Sequence, residues 1–334
     1  MAEYTKPHLT HEQQLAQIVG RGLACADEAV AIELLKTVGY YRLSAYIYPF
    51  REFRQESLDG RPANGPYRSD SIRDGITLDH VEALWRFDRK LRLVCLDAIE
   101  TVEIGLRSRL AYVVGLRDRL GHVHRGSLDA DACSRPARVG GQQTGLDAFD
   151  QWLAKYEVLE HEARNEEYVV HHKEKYDGHM PVWIAVEFFD FGALSRLFGL
   201  LNKHDQNTIA NDIGIRGGPL LAAWLRDVNY LRNLCAHHSR LWNRQPTYKP
   251  GKFNPSQVGS TLVHAAQLEP RNKIYIHLAV LAYLVRSLDP RQNWPLALRT
   301  LVKKFPPIPG ISPETGMGFP EGWSDLPLWT MKPT

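Results

Sequence analysis

The sequence predicts an all-α protein, a helical bundle, on three observations. Apolar residues recur at helical spacing through most of the 334 residues, only short runs alternate with a period of two, and helix-start and helix-stop residues punctuate the periodic stretches. With 44% hydrophobic and 24% charged residues, the chain is long enough to bury a substantial core and too apolar to be disordered. No repeat of fixed period argues for a solenoid.

The elements follow in order. Thr10 with Gln13 forms a capping-box pattern ahead of Leu15, Ile18, Val19 and Leu23 at helical spacing, which predicts a first amphipathic helix. Asp27 starts a second helix and Gly39 ends it, the usual residue types for those two positions. An aromatic run from Tyr40 to Phe50 comes next, then a Gly/Pro/Asp-rich stretch to about residue 75 that reads as a loop. From Asp79 to about Gly115 the residues Val81, Leu84, Leu91, Val94, Ala98, Val102, Leu106 and Leu110 keep one stripe with no proline, a helix on the order of 50 Å long.

Residues 116 to 145 contain glycines and no sustained period, which predicts a mobile inter-helix loop. A helix from Leu146 to Lys175 follows, then one opened by Pro181 and broken at Asp190-Phe191-Gly192 before Leu194 to Leu201. Pro219 opens the helix that carries the densest polar run in the chain. Beyond a Pro/Asn/Lys-rich loop at 243 to 255 lie helices near 258–267, 272–288 and 294–304, and a turn-rich tail from Pro306. The expected organisation is a single domain over 1–334: an N-terminal helical part to about 115, the loop 116–145, a C-terminal core over 146–305, and an irregular tail.

A formal charge of +3 is too mild to announce a nucleic-acid binder, so any basic surface must be local. Cys25, Cys95, Cys133 and Cys235 are scattered and form no CxxC pair, which points to a reduced, cytoplasmic compartment. The polar start and an apolar run of modest length from Ile274 to Val285 indicate neither export nor membrane insertion. The pairs His122/His124 and His171/His172 lack a second ligand cluster, so no metal site is expected. Gly214, Gly217, Gly218 and Pro219 form a helix-start turn rather than a phosphate-binding loop, so no nucleotide cofactor is expected either.

The chemistry concentrates between Leu225 and Arg244, where Arg232, Asn233, His237, His238, Arg240 and Arg244 share one segment. Histidine exchanges a proton near neutral pH, and arginine offers a planar cationic fork matched to phosphate oxygens. Those roles suffice to cut RNA without a metal: a base removes the 2′-hydroxyl proton, the oxygen attacks the adjacent phosphorus, and a cation stabilises the charge that develops. On an ideal helix Arg232 and His237 lie about 140° apart. A second copy packed across a two-fold axis would gather both pairs into one composite cleft, so a homodimer belongs to the hypothesis.

The run Arg232-Asn233-x3-His237 resembles the Rx4-6H signature of HEPN ribonucleases. The whole chain resembles the Abi-like family of bacterial abortive-infection proteins, the AbiD/AbiF group, in five blocks. These are Lys6-Pro7 through Gln14 with Arg21-Gly22-Leu23; Gly39 through Tyr46; Phe87 through Arg92 running on to Glu100, Glu103 and Arg107; Pro181-Val182-Trp183 with Glu187 and Phe191 through Ser195; and the RNxxxHH run through Arg244. The tail Met317 through Pro320 with Trp323 and Trp329 fits as well.

The resemblance implies a HEPN-type bundle with additional helices, a metal-independent endoribonuclease acting in phage defence or as a toxin, and Arg232 and His237 as its catalytic pair. Asn233 is then the supporting polar residue. RNA is the implied substrate, and a cognate non-coding RNA or an antitoxin the implied regulator. The competing reading is a non-catalytic RNA-binding or dimerising HEPN module.

Several assignments stay open. The signature's spacing also admits His238. Arg240 and Arg244 either guide RNA phosphates or form a solvated basic helix end. Glu103 sits four residues before Arg107, the spacing of an ordinary helix ion pair, yet it and Glu187 are candidates for a supporting shell around the site. The aromatics from Tyr40 to Tyr48 either pack in the core or stack bases.

Overall fold

A computed structural model describes residues 7–54, 67–139, 142–176, 178–269 and 271–333, together with Glu3 and Thr5. Lys6 of the first block and residues 55–66 of the expected loop lie outside the described residues. Among the described residues the protein is 62% helical with two small two-stranded sheets, so the mostly-α expectation holds. Contacts divide it into two compact units, Met1–Leu91 with Leu301–Met317, and Arg92–Thr300 with Gly318–Thr334.

In the first unit, α1 (His11–Val19) starts on the anticipated capping box: Gln13 N–H donates to Thr10 Oγ1 at 3.3 Å and Thr10 N–H to Gln13 Oε1 at 2.9 Å. Asp27 caps α2 (Glu28–Val38) through the Val30 N–H, and Gly39 ends it at φ +83°. The aromatic run is itself a helix, α3 (Tyr40–Ile47), and it splits by face. Leu43, Tyr46 and Ile47 are buried, whereas Tyr41 is 90% exposed. Within the stretch read as loop, β1 (Arg51–Phe53) pairs antiparallel with β2 (Arg68–Ile72). Those strands are short and polar, so no period-two apolar pattern marks them.

The long stripe forms α4 (Leu78–Arg117), forty residues and about 60 Å by helical rise. Residues through Leu91 belong to the first unit and those from Arg92 to the second. In the first unit Phe87 packs edge-on against Phe305 at 4.8 Å. The Tyr46 hydroxyl donates to the fully buried Asp88 carboxylate at 2.6 Å.

In the second unit, residues 116–145 are not a structureless loop: they hold α5 (Ala130–Cys133) and a hairpin of β3 (Pro136–Val139) with β4 (Gln142–Asp147). Gly140 and Gly141, which join the strands, lie outside the described residues. The helix expected over 146–175 is two, α6 (Ala148–Glu162) and α7 (Glu167–Lys175). Asp190 ends the short α8 region (Val182–Ala185) and caps α9 (Phe191–Leu200) through the Ala193 N–H at 2.7 Å, the expected break. A helix the sequence reading missed, α10 (Lys203–Asp212), is capped by Asn202.

α11 (Gly218–Ala236) packs against α9, α10 and a central helix, α13 (Tyr275–Leu288). Every residue of α13 from Tyr275 to Val285 is buried, which explains its nearly continuous apolar sequence. The helix expected near 258–267 shrinks to a 3-10 turn and α12 (Val263–Ala266). α14 (Trp294–Lys303) forms as expected, and Trp294 Nε1 donates to the Val94 carbonyl at 2.6 Å. The tail ends in α15 (Pro327–Thr330), whose Trp329 Nε1 donates to Tyr275 at 3.3 Å. The four cysteines are free thiols. No described helix is long and apolar enough to cross a membrane.

Candidate active site on one open helix face

α11 is built to show one side and hide the other. It starts at Gly217 (φ +116°) and Pro219, and the Gly218 N–H is tied to Asn207 Oδ1 at 2.8 Å. Trp224, Asp227, Val228, Leu231, Leu234 and Cys235 are buried. At about 100° per residue, the opposite arc reads Arg232, Ala236, Asn229, Asn233, Arg226, His237 and Tyr230, and none of these is buried. Arg232 and His237 therefore lie near opposite edges of one exposed polar strip, with two asparagines between them.

The end of the helix distinguishes the two histidines. His237 N–H donates to the Asn233 carbonyl at 3.0 Å, so His237 keeps its helical position as the cap residue. His238 then turns left-handed, at φ +56°, the one non-glycine with positive φ among the described residues. His238 N–H donates to the Cys235 carbonyl at 3.1 Å and Ser239 N–H to Leu234 at 2.9 Å. This pair of bonds is a Schellman turn, which normally takes glycine at the left-handed position. The buried Arg92 pins the next step by donating to the Ser239 carbonyl at 3.3 Å. His237 thus continues the open face, and His238 is carried off it by its backbone.

Arg232 is half-buried and lies beside a set of charges drawn from three further elements. Its Nη1 is 3.4 Å from Asn233 Oδ1. Burial pushes the Glu103 carboxyl on α4 above its usual range, and the Arg107 and Arg232 guanidiniums pull it back down. Arg107 donates to Glu103 at 2.6 Å and to the Phe189 carbonyl at 2.9 Å, and its other nitrogen lies 3.7 Å from Glu187. Burial opposes ionisation of Asp190 too, but the Ala193 N–H, the Lys155 ammonium at 3.0 Å and the charge of Arg232 hold its carboxyl below the ordinary value. An added Cβ on Gly192 would stand 3.6 Å from the Asn229 amide. That is ordinary contact, so Gly192 leaves room for α11, and the tighter neighbour of such a Cβ is Asp190 Oδ1 at 3.2 Å.

The expected supporting residues therefore separate. Glu103 acts on Arg232 electrostatically. Glu187 reaches Arg107 and is 56% exposed, so it is not a buried counter-ion. Arg244 Nε donates to the Tyr230 hydroxyl at 3.4 Å, and Thr247 N–H donates to the same oxygen at 3.3 Å. Burial resists ionisation of that phenol, yet these two bonds hold it below its usual value. Arg244 is thus folded back onto α11, and Arg240 is half-buried nearby in sequence. His237 is exposed. Lys155, Asp190 and Asn229 were not singled out as site residues from sequence; the capping pattern of Asp190 and the i+3/i+4 relation of Asn229 to Arg232 and Asn233 were the available signals.

A family model described as Abi-like protein matches residues 33–243. The chain belongs to the Abi-like protein family. The matched span runs from α2 through the Schellman turn, so it contains Glu103, Asp190, Arg232 and His237. Neither a curated protein nor a solved structure matches this Abi-like chain. Membership points to abortive infection as the class of biological role.

Proposed function

We propose that this Abi-like protein is a metal-independent endoribonuclease of HEPN type that acts in phage defence or growth arrest. The observation that carries the proposal is the strip on α11: a guanidinium held among carboxylates at one edge, an exposed imidazole on the helix cap at the other, and two amides between them. His237 serves as the proton acceptor for a ribose 2′-hydroxyl, which attacks the neighbouring phosphorus; the P–O5′ bond breaks, leaving a 2′,3′-cyclic phosphate and a 5′-oxygen that takes a proton from water. Arg232 stabilises charge on the phosphorane oxygens as it grows. The carboxylates attract Arg232 electrostatically without forming ion pairs with it, because Glu103 and Asp190 have Arg107 and Lys155 as partners.

The roughly 140° between the two side chains calls for a second copy that brings its own strip to the same cleft. An exposed apolar stripe supports such pairing: Ile104, Tyr112 and Leu116 on α4 are 56%, 71% and 78% exposed. Trp183, itself 49% exposed, packs against the same helix at Gly115. Stripes of this kind on a globular surface are characteristic of association sites. A cognate RNA or protein that masks the cleft would hold the nuclease silent before infection.

The test is incubation of purified protein with end-labelled RNA in EDTA. Fragments ending in 2′,3′-cyclic phosphate, lost in both Arg232→Ala and His237→Ala, are expected. Undiminished cleavage by either folded variant overturns the assignment, and binding without cutting by the wild type favours a non-catalytic RNA-binding module.

A further inference from the structure

The strip on α11 continues toward the start of the helix and ends in a cavity. Pro219, Ala222 and Arg226 line a depression of about 390 Å³ closed by α5 and by the first turn of α10. Those three residues are spaced i, i+3, i+7, and the same row runs on through Asn229, Asn233 and His237. The cavity and the imidazole therefore share one face of one helix. From Arg226 to His237 the rise is about 16 Å, the reach of a few nucleotides of an extended strand.

Three cations border the cavity from three elements: Arg135 after α5, Lys203 at the start of α10, and Arg226 on α11. All three are exposed, and among the described residues none has an ion-pair partner. By contrast, Arg117 and Arg125 on the same unit are both committed to carboxylates, Asp205 and Asp147. The cavity also holds Asp129 and Asp131, and Asp129 spends one carboxylate oxygen capping α5 through the Ala132 N–H at 2.8 Å. The remaining lining includes Gln206 and Asn207 amides, and the Asn207 oxygen is already engaged by Gly218 N–H. Its NH2 group is left as a donor. Gln206 Nε2 already donates to the Phe198 carbonyl at 3.0 Å; the three cations outnumber the two carboxylates, and with the free Asn207 donor they suit phosphate oxygens.

We infer that this cavity is a backbone-phosphate subsite that holds single-stranded RNA a few nucleotides away from the linkage placed at His237. The inference rests on the ribonuclease reading for its ligand, and it assigns to Arg135, Lys203 and Arg226 the task of setting the register of the strand. Contacts to phosphate position a strand without reading its sequence. Substrates too short to span from His237 to the cavity would then be cut less efficiently than longer ones of the same sequence.

The test separates this subsite from the chemistry by using a probe that lacks the 2′-hydroxyl nucleophile, a fluorescein-labelled 2′-O-methyl decanucleotide, with affinity followed by anisotropy against salt. Each phosphate contact on a single strand contributes about 0.7 to the logarithmic salt slope. Arg135→Ala/Lys203→Ala/Arg226→Ala should therefore lower the slope by about 2, so that between 50 and 200 mM salt the wild type loses about 15- to 20-fold more affinity than the variant. Arg226→Glu alone should weaken binding in the same direction and provides a second, less disruptive substitution. Equal slopes and affinities for wild type and both variants, or no binding by the wild type, overturn the subsite. Loss of slope in a protein that never cleaves RNA keeps the subsite and rejects the ribonuclease reading. Cleavage of a decanucleotide and a dinucleotide at equal efficiency by the wild type rejects the subsite and keeps the ribonuclease.

Discussion

Replacing Asp227 should be the most damaging single change within α11, although it lies on the side away from the open strip. Asp227 is 2% exposed and its Oδ1 is 2.7 Å from Nδ1 of His277 on α13, which is 1% exposed. The same carboxylate also acts on a buried guanidinium. Arg271 is 6% exposed, donates to the Ala265 carbonyl at 3.0 Å, and is pushed down by burial while Glu269 and Asp227 pull it back up. Asp227→Leu leaves an imidazole and a guanidinium in the core without their carboxylate, and breaking a buried pair in this way costs about 3–5 kcal/mol. With a urea slope at or above about 3 kcal/mol per molar for a chain of this size, the unfolding midpoint should fall by roughly 1 M. Asp227→Leu/His277→Leu removes both partners and should cost less than the two single losses added together, because each single change strands a polar group that the double change does not. A single variant within about 1 kcal/mol of wild type would show that the pair contributes nothing. So would strict additivity in the double variant. Activity per folded molecule should be unchanged in either case, because neither group faces the strip.

Other outcomes follow from the same geometry. His122 is fully buried and burial, reinforced by the nearby His179, pushes its imidazole from 6.5 down to about 3. The unfolded chain therefore takes up a proton near pH 6.5 that the folded chain refuses. Stability contributed above that pH is lost at about 1.4 kcal/mol per unit as the pH falls toward 3, and His122→Phe should flatten denaturation curves measured between pH 4 and 6. Glu103→Gln should leave stability within about 1 kcal/mol, since it removes both a costly half-buried charge and one ion pair, but should slow RNA cleavage roughly tenfold, about 1.4 kcal/mol at the transition state, by loosening Arg232. Tyr112→Glu/Leu116→Glu should give a monomer in sedimentation and abolish cleavage while far-UV circular dichroism is retained; a cleaving monomer would remove the composite cleft.

Much of this fold is legible from local signals, and the failures share a cause. Thr10 with Gln13, Asp27 and Pro219 each mark a helix start where the structure has one, because capping is settled within a few residues, and the break expected at Asp190 is present. α4 is legible because its stripe runs forty residues without interruption. The β3/β4 hairpin is not, since β4 is exposed for most of its length and is held by backbone bonds that leave no apolar pattern. The break between α6 and α7 falls on Ala163 to Glu166, which contains neither glycine nor proline and reads as helix. Arg232, Asn233 and His237 stand out as a dense polar run, whereas Lys155 and Asp190 join them through contacts across long sequence separations. No spacing rule reaches that far.

The arrangement explains why a bulky, titratable residue stands at the left-handed position where glycine is usual. A non-glycine there costs on the order of 1–2 kcal/mol, and His238 bears that cost while the turn it makes sends the chain away from the helix axis immediately after His237. One more helical turn would have placed further side chains over the imidazole. Ending the helix at Ala236 keeps His237 on the open face and at its rim. Beneath the open strip, the Asp227–His277 pair and the buried apolar side fix α11 to α13. Above it, the Asp190 and Glu103 carboxylates act on Arg232 electrostatically from two other elements. The helix is thus anchored on one side by burial and on one edge by charge, while its other edge, carrying Asn233 and His237, is left to solvent. That edge is the side of α11 on which the proposed strand, or the proposed second copy, would be received.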